Sequence, residues 1–167
     1  ISEANQIAIA AAGLTYILGA RLPFLPDIVR EWRDQHPGQD IPEDLTLTQP
    51  WPATDREKTR GIPDRVIHYQ YRADRARRSL RGIDEQIAKA QKAIDGKAPV
   101  KRNRFITLTG ESKAIDRDLE AKARALAGWK GYTTNLVEQT PQFVIGAYHH
   151  LWRIEKAFRM SKHDLQA

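Results

Sequence analysis

Residues 148–162 read Tyr148-His149-His150-Leu151-Trp152-Arg153-Ile154-Glu155-Lys156-Ala157-Phe158-Arg159-Met160-Ser161-Lys162. At helical spacing, the apolar residues that recur on one side are Ala147, Leu151, Ile154 and Phe158. About 100° further round the helix, a second stripe consists of Tyr148, Trp152, Glu155, Arg159 and Lys162. The first stripe predicts a helix that buries one side against a sheet. The second therefore lies at the border of the buried side.

The second stripe has two interpretations. In the ordinary one, its charged residues form the solvated side of an amphipathic helix. In the functional one, Glu155 lies between Trp152 and Arg159 at the edge of a buried face, where a carboxylate is partly desolvated and can still meet a cation. Metal-binding catalytic glutamates are commonly presented in this way.

The residue types favour the functional interpretation. The stretch resembles the last motif of DDE-class insertion-sequence transposases of the insertion sequence four-like branch. That motif is Tyr, two residues, Arg, three residues, Glu, six residues, Lys. Tyr148, Glu155 and Lys162 match it in register, whereas Leu151 stands at the Arg position. Arg159 or Arg153 would then supply the basic group.

Two earlier stretches resemble the same family. Residues 14–21 read Leu-x-Tyr-Ile-x-Gly-x-Arg, the layout that follows the second catalytic Asp in these transposases. Residues 131–135 read Gly-Tyr-x-Thr-Asn, as in the strand that leads into the glutamate helix. The resemblance implies that the second Asp lies just before Ile1 and the first well upstream. We therefore expect this chain to be inactive in DNA cleavage by itself.

The composition narrows the classes of function. The 167 residues include no cysteine, which excludes thiol catalysis, cysteine-bound zinc and a disulfide-stapled secreted module. No apolar run approaches the ~20 residues that span a bilayer. We expect no membrane partner and no signal peptide. The expected location is the bacterial cytoplasm, at the nucleoid when DNA is bound.

Positive charge is concentrated in the middle of the chain. The net charge is +6, yet the stretch from Arg65 to Arg104 alone has twelve basic and four acidic residues, a local balance of +8. A localised basic segment indicates a polyanionic partner. A solvated helix face is the alternative.

The periodicities predict the secondary structure along the chain. The predicted elements are helix 3–12, strand 14–18, helix 25–34, an extended connector with at most short strands over 37–64, strand 65–71, helix 73–94, strand 105–109, helix 112–126 and strand 128–136. Helix 73–94 has an apolar side and a basic side. Four basic residues that we expect to follow a phosphate backbone are Arg75, Arg78, Arg81 and Lys89.

The resemblance implies an α/β (α+β) fold. This fold would be an incomplete ribonuclease H-like transposase core, interrupted by a basic strand and helix insertion and mostly helical overall. Residues 1–60 would be the core fragment and its connector. Residues 61–128 would be the inserted basic subdomain, and residues 129–167 the returning strand and the glutamate helix.

The resemblance also implies the chemistry. In this class three carboxylates hold two Mg²⁺ ions, which Mn²⁺ can replace, for in-line attack by water or a DNA 3′ hydroxyl. Glu155 would be the third carboxylate, both catalytic and a metal ligand. The site in this chain would be incomplete.

The expected partner is double-stranded DNA, at the transposon ends and at the target, bound by a homodimer of the full-length protein. Tyr148 and Lys162 would bind the transposon end, and Arg159, Arg153 and Trp152 would contact phosphates or stack on a base. Core packing is the alternative for Trp152. The alternative for the whole chain is a catalytically dead remnant that acts only as a basic DNA-binding or interaction module. A helical scaffold without a nucleic-acid role is a third hypothesis for the function of the chain.

Overall fold

The structure is a computed structural model that describes residues 3–97, 99, 103–109 and 112–151. Within this part the chain is a mixed α/β protein with six helices. The elements are α1 (Glu3–Ala11), β1 (Ile17–Ala20), α2 (Asp27–Gln35), β2 (Thr46–Trp51), α3 (Asp55–Thr59), β3 (Arg65–Tyr71), α4 (Ala73–Ile94), β4 (Ile106–Thr109), β5 (Ser112–Ile115), α5 (Arg117–Ala125), β6 (Trp129–Thr134) and α6 (residues 141–151). The mixed fold class and the predominance of helix over strand were both predicted.

The main sheet has four strands in the order β1-β6-β3-β2. Strands β1 and β6 are antiparallel, with Ile17 opposite Thr134 and Ala20 opposite Gly131. Strand β3 is an inner strand, and residues 66–70 of it are all buried. Strands β4 and β5 form a separate antiparallel pair.

The chain forms two compact units, and neither is continuous in sequence. Unit 1 contains Ile1–Arg21, Thr46–Tyr69 and Lys130–Ala167, whereas unit 2 contains Leu22–Leu45 and Gln70–Trp129. The predicted boundaries at residues 60 and 128 therefore differ from the observed ones. Residues 61–69 belong with the first unit, and residues 22–45 with the second.

In unit 1, α6 packs on the strands β1 and β6. Tyr132 and Val144 are fully buried, and Ile17 and Tyr148 pack beside them. The inward position predicted for Leu151 is wrong, because its side chain is 60% exposed. The fully buried Val144 lies on the same side of the helix two turns earlier, about 10 Å along the axis, so the burial of this side ends before residue 151.

The first strand begins later than predicted. Residues 14–16 precede β1, which begins at Ile17. Tyr16 N–H donates to the side chain of Asn135, at 2.9 Å, instead of to a neighbouring strand. At Tyr16 the side chain of Asn135 therefore takes the place of a backbone hydrogen-bond partner on a neighbouring strand.

The predicted connector over residues 37–64 contains two regular elements. Strand β2 forms one edge of the main sheet. Helix α3 begins at a capping box, in which Thr54 Oγ1 accepts from Glu57 N and Glu57 accepts from Thr54 N. The prediction allowed short strands such as β2 in this connector, but it is wrong for α3, which is a helix.

The predicted helix 112–126 is a strand followed by a shorter helix. Strand β5 ends at Ile115, and α5 begins after Asp116, whose carboxylate accepts from Leu119 N at 2.8 Å. An N-cap aspartate marks a helix start, so the helix cannot extend back through it. Helix α4, in contrast, has the predicted bounds of 73 and 94.

Candidate nucleic-acid interface

The residues predicted to form the site fall into three groups. Tyr148 is in unit 1, and the four basic residues of the long helix are in unit 2. The others lie outside the described residues, and they are Trp152, Arg153, Glu155, Arg159 and Lys162. Tyr148 and the basic side of α4 are therefore the parts of the predicted site that the structure describes.

Tyr148 belongs to a cluster of aromatic and cationic side chains. Its ring centroid is 5.1 Å from that of Tyr132 in an edge-to-face arrangement, and Lys130 Nζ is 4.3 Å from the Tyr148 centroid. Lys130 Nζ is also 5.0 Å from the Tyr132 centroid. An ammonium group held over two aromatic faces is attracted to both of them. The cluster thus holds a fixed positive charge beside Tyr148.

The hydroxyl of Tyr148 approaches strand β1. A Cβ atom placed on Gly19 would lie 3.1 Å from Tyr148 Oη, which is tighter than an ordinary van der Waals contact. Gly19 in turn pairs with Tyr132 across the sheet. The absence of a side chain at residue 19 therefore gives Tyr148 its room.

Thr134 and Asn135 join the last strand to the segment before β1. Thr134 Oγ1 donates to Tyr16 O at 2.6 Å, while Asn135 accepts from Tyr16 N and donates to Leu14 O. Thr134 is fully buried. These two family-like residues therefore have a structural role, which sequence reasoning did not assign to them.

The described residues contain no group of three His, Asp or Glu side chains that could hold a metal ion. Glu155 lies outside them. The magnesium site expected from the sequence thus stays a prediction.

The four predicted basic residues of α4 have different environments. Arg75 is half-buried and donates to the backbone oxygens of Gln70 and Gly128, at 3.1 and 3.0 Å. Arg78, Arg81 and Lys89 are exposed. Arg75 therefore stabilises the start of α4 through hydrogen bonds to the backbone. Arg78, Arg81 and Lys89 can contact a ligand.

Ion pairs neutralise other cations of unit 2. Arg77 pairs with Asp74, and Arg124 pairs with both Asp84 and Glu120. Within the described part of the chain, no hydrogen bond or ion pair engages Arg78, Arg81 or Lys89. The uncompensated charge thus lies along one side of α4.

Glu120 organises the second ion-pair group. Hydrogen bonds from Arg117, which has the larger effect, and from Arg124 hold the pKa of the Glu120 carboxyl below its ordinary value. Asp84 and Glu120 together raise the pKa of Arg124. This network links α5 to α4 and is a structural feature, because its charges are already paired.

Sequence reasoning missed two cations. Lys130 gives no signal of its own, since its contact with Tyr148 depends on α6 packing on β6. Arg104 precedes a predicted strand, and its guanidinium lies 4.5 Å from the Phe105 ring centroid. Its place in the basic segment was the available signal.

Comparisons with protein-family models, with curated proteins and with solved structures find no match to this chain. In the described part of the chain, no helix combines the length and the apolar character needed to cross a membrane.

Proposed function

We propose that this chain is part of a DDE-class transposase with a ribonuclease H-like core, which binds double-stranded DNA and transfers phosphodiester bonds at transposon ends. Glu155 is the carboxylate of this chain that would bind Mg²⁺ or Mn²⁺, and the ions when bound would activate the attacking oxygen. Tyr148 and Lys162 would bind the DNA end. The chain by itself would bind DNA without cutting it.

One observation supports this proposal above the others. The three stretches that resemble the family are far apart in sequence, and each contributes a residue to one cluster in unit 1, namely Gly19, Tyr132 and Tyr148. Segments that act together in a site are expected to meet in the fold. If the three stretches resembled the family only by chance, there would be no reason to expect them to meet in the fold.

The charge distribution supports the DNA partner. Lys130 lies over the Tyr148 ring, and the exposed Arg78, Arg81 and Lys89 of α4 have no hydrogen bond or ion pair among the described residues. Exposed Lys and Arg side chains contact phosphates, and an aromatic ring next to a cation can contact a nucleotide.

The test uses the complete gene product that contains these residues. It is incubated with Mg²⁺ or with EDTA and a plasmid that carries the borders of its own genomic segment, and the nicks are mapped by primer extension. We expect Mg²⁺-dependent nicks at the borders, lost in Glu155→Gln with DNA binding retained. The exposed Glu138 gives a matched control, since Glu138→Gln should cleave like wild type. Undiminished cleavage by Glu155→Gln, or no border cleavage by wild type, would contradict the proposal.

The uncompensated cations of α4 also favour a second candidate, a DNA-binding module without catalysis. Under this alternative the gene product retains duplex DNA in a salt-dependent manner but never nicks it. If the gene product does not bind DNA, the remaining hypothesis is a helical scaffold without a nucleic-acid role.

A further inference from the structure

A groove of about 300 Å³ lies in unit 2 beside α4. Helix α4 contributes Arg78, Ser79, Gly82 and Gln86 to its lining, and Arg104 lines it from the segment before β4. The apolar part of the lining consists of Ile83, Ala123, Leu126 and Ala127, of which Ile83 and Ala127 are buried. The groove thus combines two guanidinium groups with a hydroxyl and a side-chain amide.

The two arginines have no anionic partner among the described residues. Neither Arg78 nor Arg104 has an ion pair there, and the guanidinium carbon of Arg104 is 4.5 Å from the ring centroid of Phe105. No described carboxylate lines the groove. This differs from the nearby Arg124, whose charge is satisfied by Asp84 and Glu120. The groove therefore has an unbalanced positive charge.

Gly82 leaves the groove open. A glycine inside a helix is destabilising compared with alanine. No packing contact explains it here, because a Cβ atom at this position would meet no atom within 4 Å. The space above Gly82 is therefore free for a ligand that lies against the helix.

We propose that this groove binds a backbone phosphate of DNA. Two arginines suit the geometry of phosphate oxygens, and Ser79 and Gln86 can donate further hydrogen bonds to them. The proposal rests on the DNA-binding part of the proposed function and gives it a specific phosphate site.

The rest of α4 identifies DNA as the source of the phosphate. Arg81, Lys89 and Lys92 lie within about 60° of Arg78 round the helix. The acidic residues in the same sector are Asp74, which pairs with Arg77, and Glu85. Arg78 and Lys92 are roughly 21 Å apart along the axis, which matches about six base pairs. A free phosphate would occupy the groove alone and leave this row of cations unused.

Four single variants test the groove: Arg78→Gln, Arg104→Gln, Gly82→Leu and the control Arg56→Gln. Gly82→Leu fills the groove without changing the charge, and Arg56 is an exposed cation of unit 1. Circular dichroism checks that each variant folds. Affinity for a labelled duplex is measured by fluorescence anisotropy over a salt series.

We expect both arginine variants and Gly82→Leu to weaken DNA binding roughly threefold or more at moderate salt. Each loss of a phosphate contact should reduce the slope of log K against log salt by about 0.9. Arg56→Gln should match wild type. If Gly82→Leu binds like wild type while the arginine variants do not, the arginines act outside the groove and the proposal is wrong.

A second arm titrates inorganic phosphate at constant ionic strength, followed by NMR of the arginine side chains. If phosphate shifts the Arg78 and Arg104 signals and DNA does not, the groove binds a small phosphate compound and the proposal is overturned. If wild type binds DNA and all variants bind equally, the groove proposal alone fails. If wild type does not bind DNA, the proposed function fails with it.

Discussion

Gly128, between α5 and β6, has a backbone conformation and surroundings that only glycine tolerates. Its φ is +90°, and its carbonyl oxygen accepts from Arg72 N and from the Arg75 guanidinium. A Cβ atom there would lie 2.7 Å from Tyr71 Cδ2 and 2.9 Å from Ala76 Cβ. Both the backbone and the packing therefore exclude a side chain.

We predict that Gly128→Ala lowers the free energy of unfolding by about 3 kcal/mol, because left-handed strain and steric overlap add. Urea titration followed by circular dichroism measures the loss. The control is Gly82→Ala, which should raise the free energy of unfolding by about 0.5–1 kcal/mol, since residue 82 is helical and unobstructed. Equal stabilities of the two variants would contradict the packing at residue 128.

His68 is a buried titratable residue of the inner strand β3. Its Nδ1 is 2.9 Å from Thr48 Oγ1, and its Nε2 has no partner among the described residues. Burial lowers the pKa of the His68 imidazole. The folded chain therefore resists protonation at a pH where the unfolded chain accepts it.

We predict that His68 makes the chain less stable in mild acid. Its contribution is complete above the ordinary pKa of about 6.5 and is lost as the pH falls from there towards the lower folded-state value, by at most about 1.4 kcal/mol per pH unit. Chemical unfolding between pH 8 and pH 5 measures this slope. His68→Gln should reduce it, and the exposed His150→Gln should not.

The contact between Gly19 and Tyr148 can be tested by a double-mutant cycle. Gly19→Ala places its methyl 3.1 Å from Tyr148 Oη, while the ring carbon that bears the hydroxyl is 3.7 Å away. We predict that Gly19→Ala is destabilising in wild type and costs at least about 0.5 kcal/mol less in the Tyr148→Phe background. Additive free energies of unfolding would show that the hydroxyl does not restrict residue 19.

At the scale of elements, α4 separates structural cations from available ones. Its buried residues are Ala76, Ile83, Ala90 and Ala93. Arg75 lies near that buried side and bonds to backbone oxygens, whereas Arg78, Arg81 and Lys89 point away from it. The same residue type thus has two roles on one helix.

We predict that Arg78→Gln/Arg81→Gln/Lys89→Gln weakens duplex DNA binding and lowers the salt slope by up to about 2.7, with little change in stability. Arg75→Gln should lower the free energy of unfolding, because it removes two hydrogen bonds to the backbone. It should change DNA binding and the salt slope little. Anisotropy and urea titration on both proteins test this contrast. An unchanged salt slope in the triple variant would rule out α4 as the phosphate contact.

Prediction of the elements succeeded where one periodicity was long or strongly apolar. Helix α4 repeats its apolar residues over 22 positions, and β3 is a run of buried residues. Strand β2 was allowed in the predicted connector but was given no bounds, because it is an edge strand without a buried residue and has Pro50 inside it. Helix α3 was missed although its capping box, Thr54 and Glu57, could be read from the sequence.

The role of each predicted site residue stays a prediction. Tyr148 was singled out by the resemblance, and its ring packs against Tyr132 of β6, as expected for a helix that follows this strand. Lys130 and the groove at Arg78 and Arg104 depend on which elements pack together, which sequence spacing does not specify. The neutralisation of Arg124 depends likewise on contact with Asp84, 40 positions away in the sequence.

At the scale of the whole molecule, each unit has its own carboxylate held by arginine. In unit 1, Glu57 bonds to Thr54 N and Arg65, and these contacts lower the pKa of the Glu57 carboxyl. In unit 2, Glu120 bonds to Arg117 and Arg124. The two glutamates therefore make a matched pair of probes.

We predict that each substitution loosens its own unit. Glu120→Gln should accelerate amide hydrogen exchange in α5 and the facing part of α4, and Glu57→Gln should do so in α3 and β3. Exchange followed by mass spectrometry on peptides of each unit measures both effects. Equal acceleration in both units from either variant would show that the units do not open separately.

The hydrogen bond between Thr134 and Tyr16 has a consequence for synthesis on the ribosome. The two residues are 118 positions apart. At about 5–20 residues per second, the ribosome needs roughly 6 to 24 s to make Thr134 after Tyr16. Strand β1 and the exposed Leu14 before it emerge long before their partner exists. The nascent chain therefore offers chaperones an apolar, unpaired strand throughout the translation of unit 2.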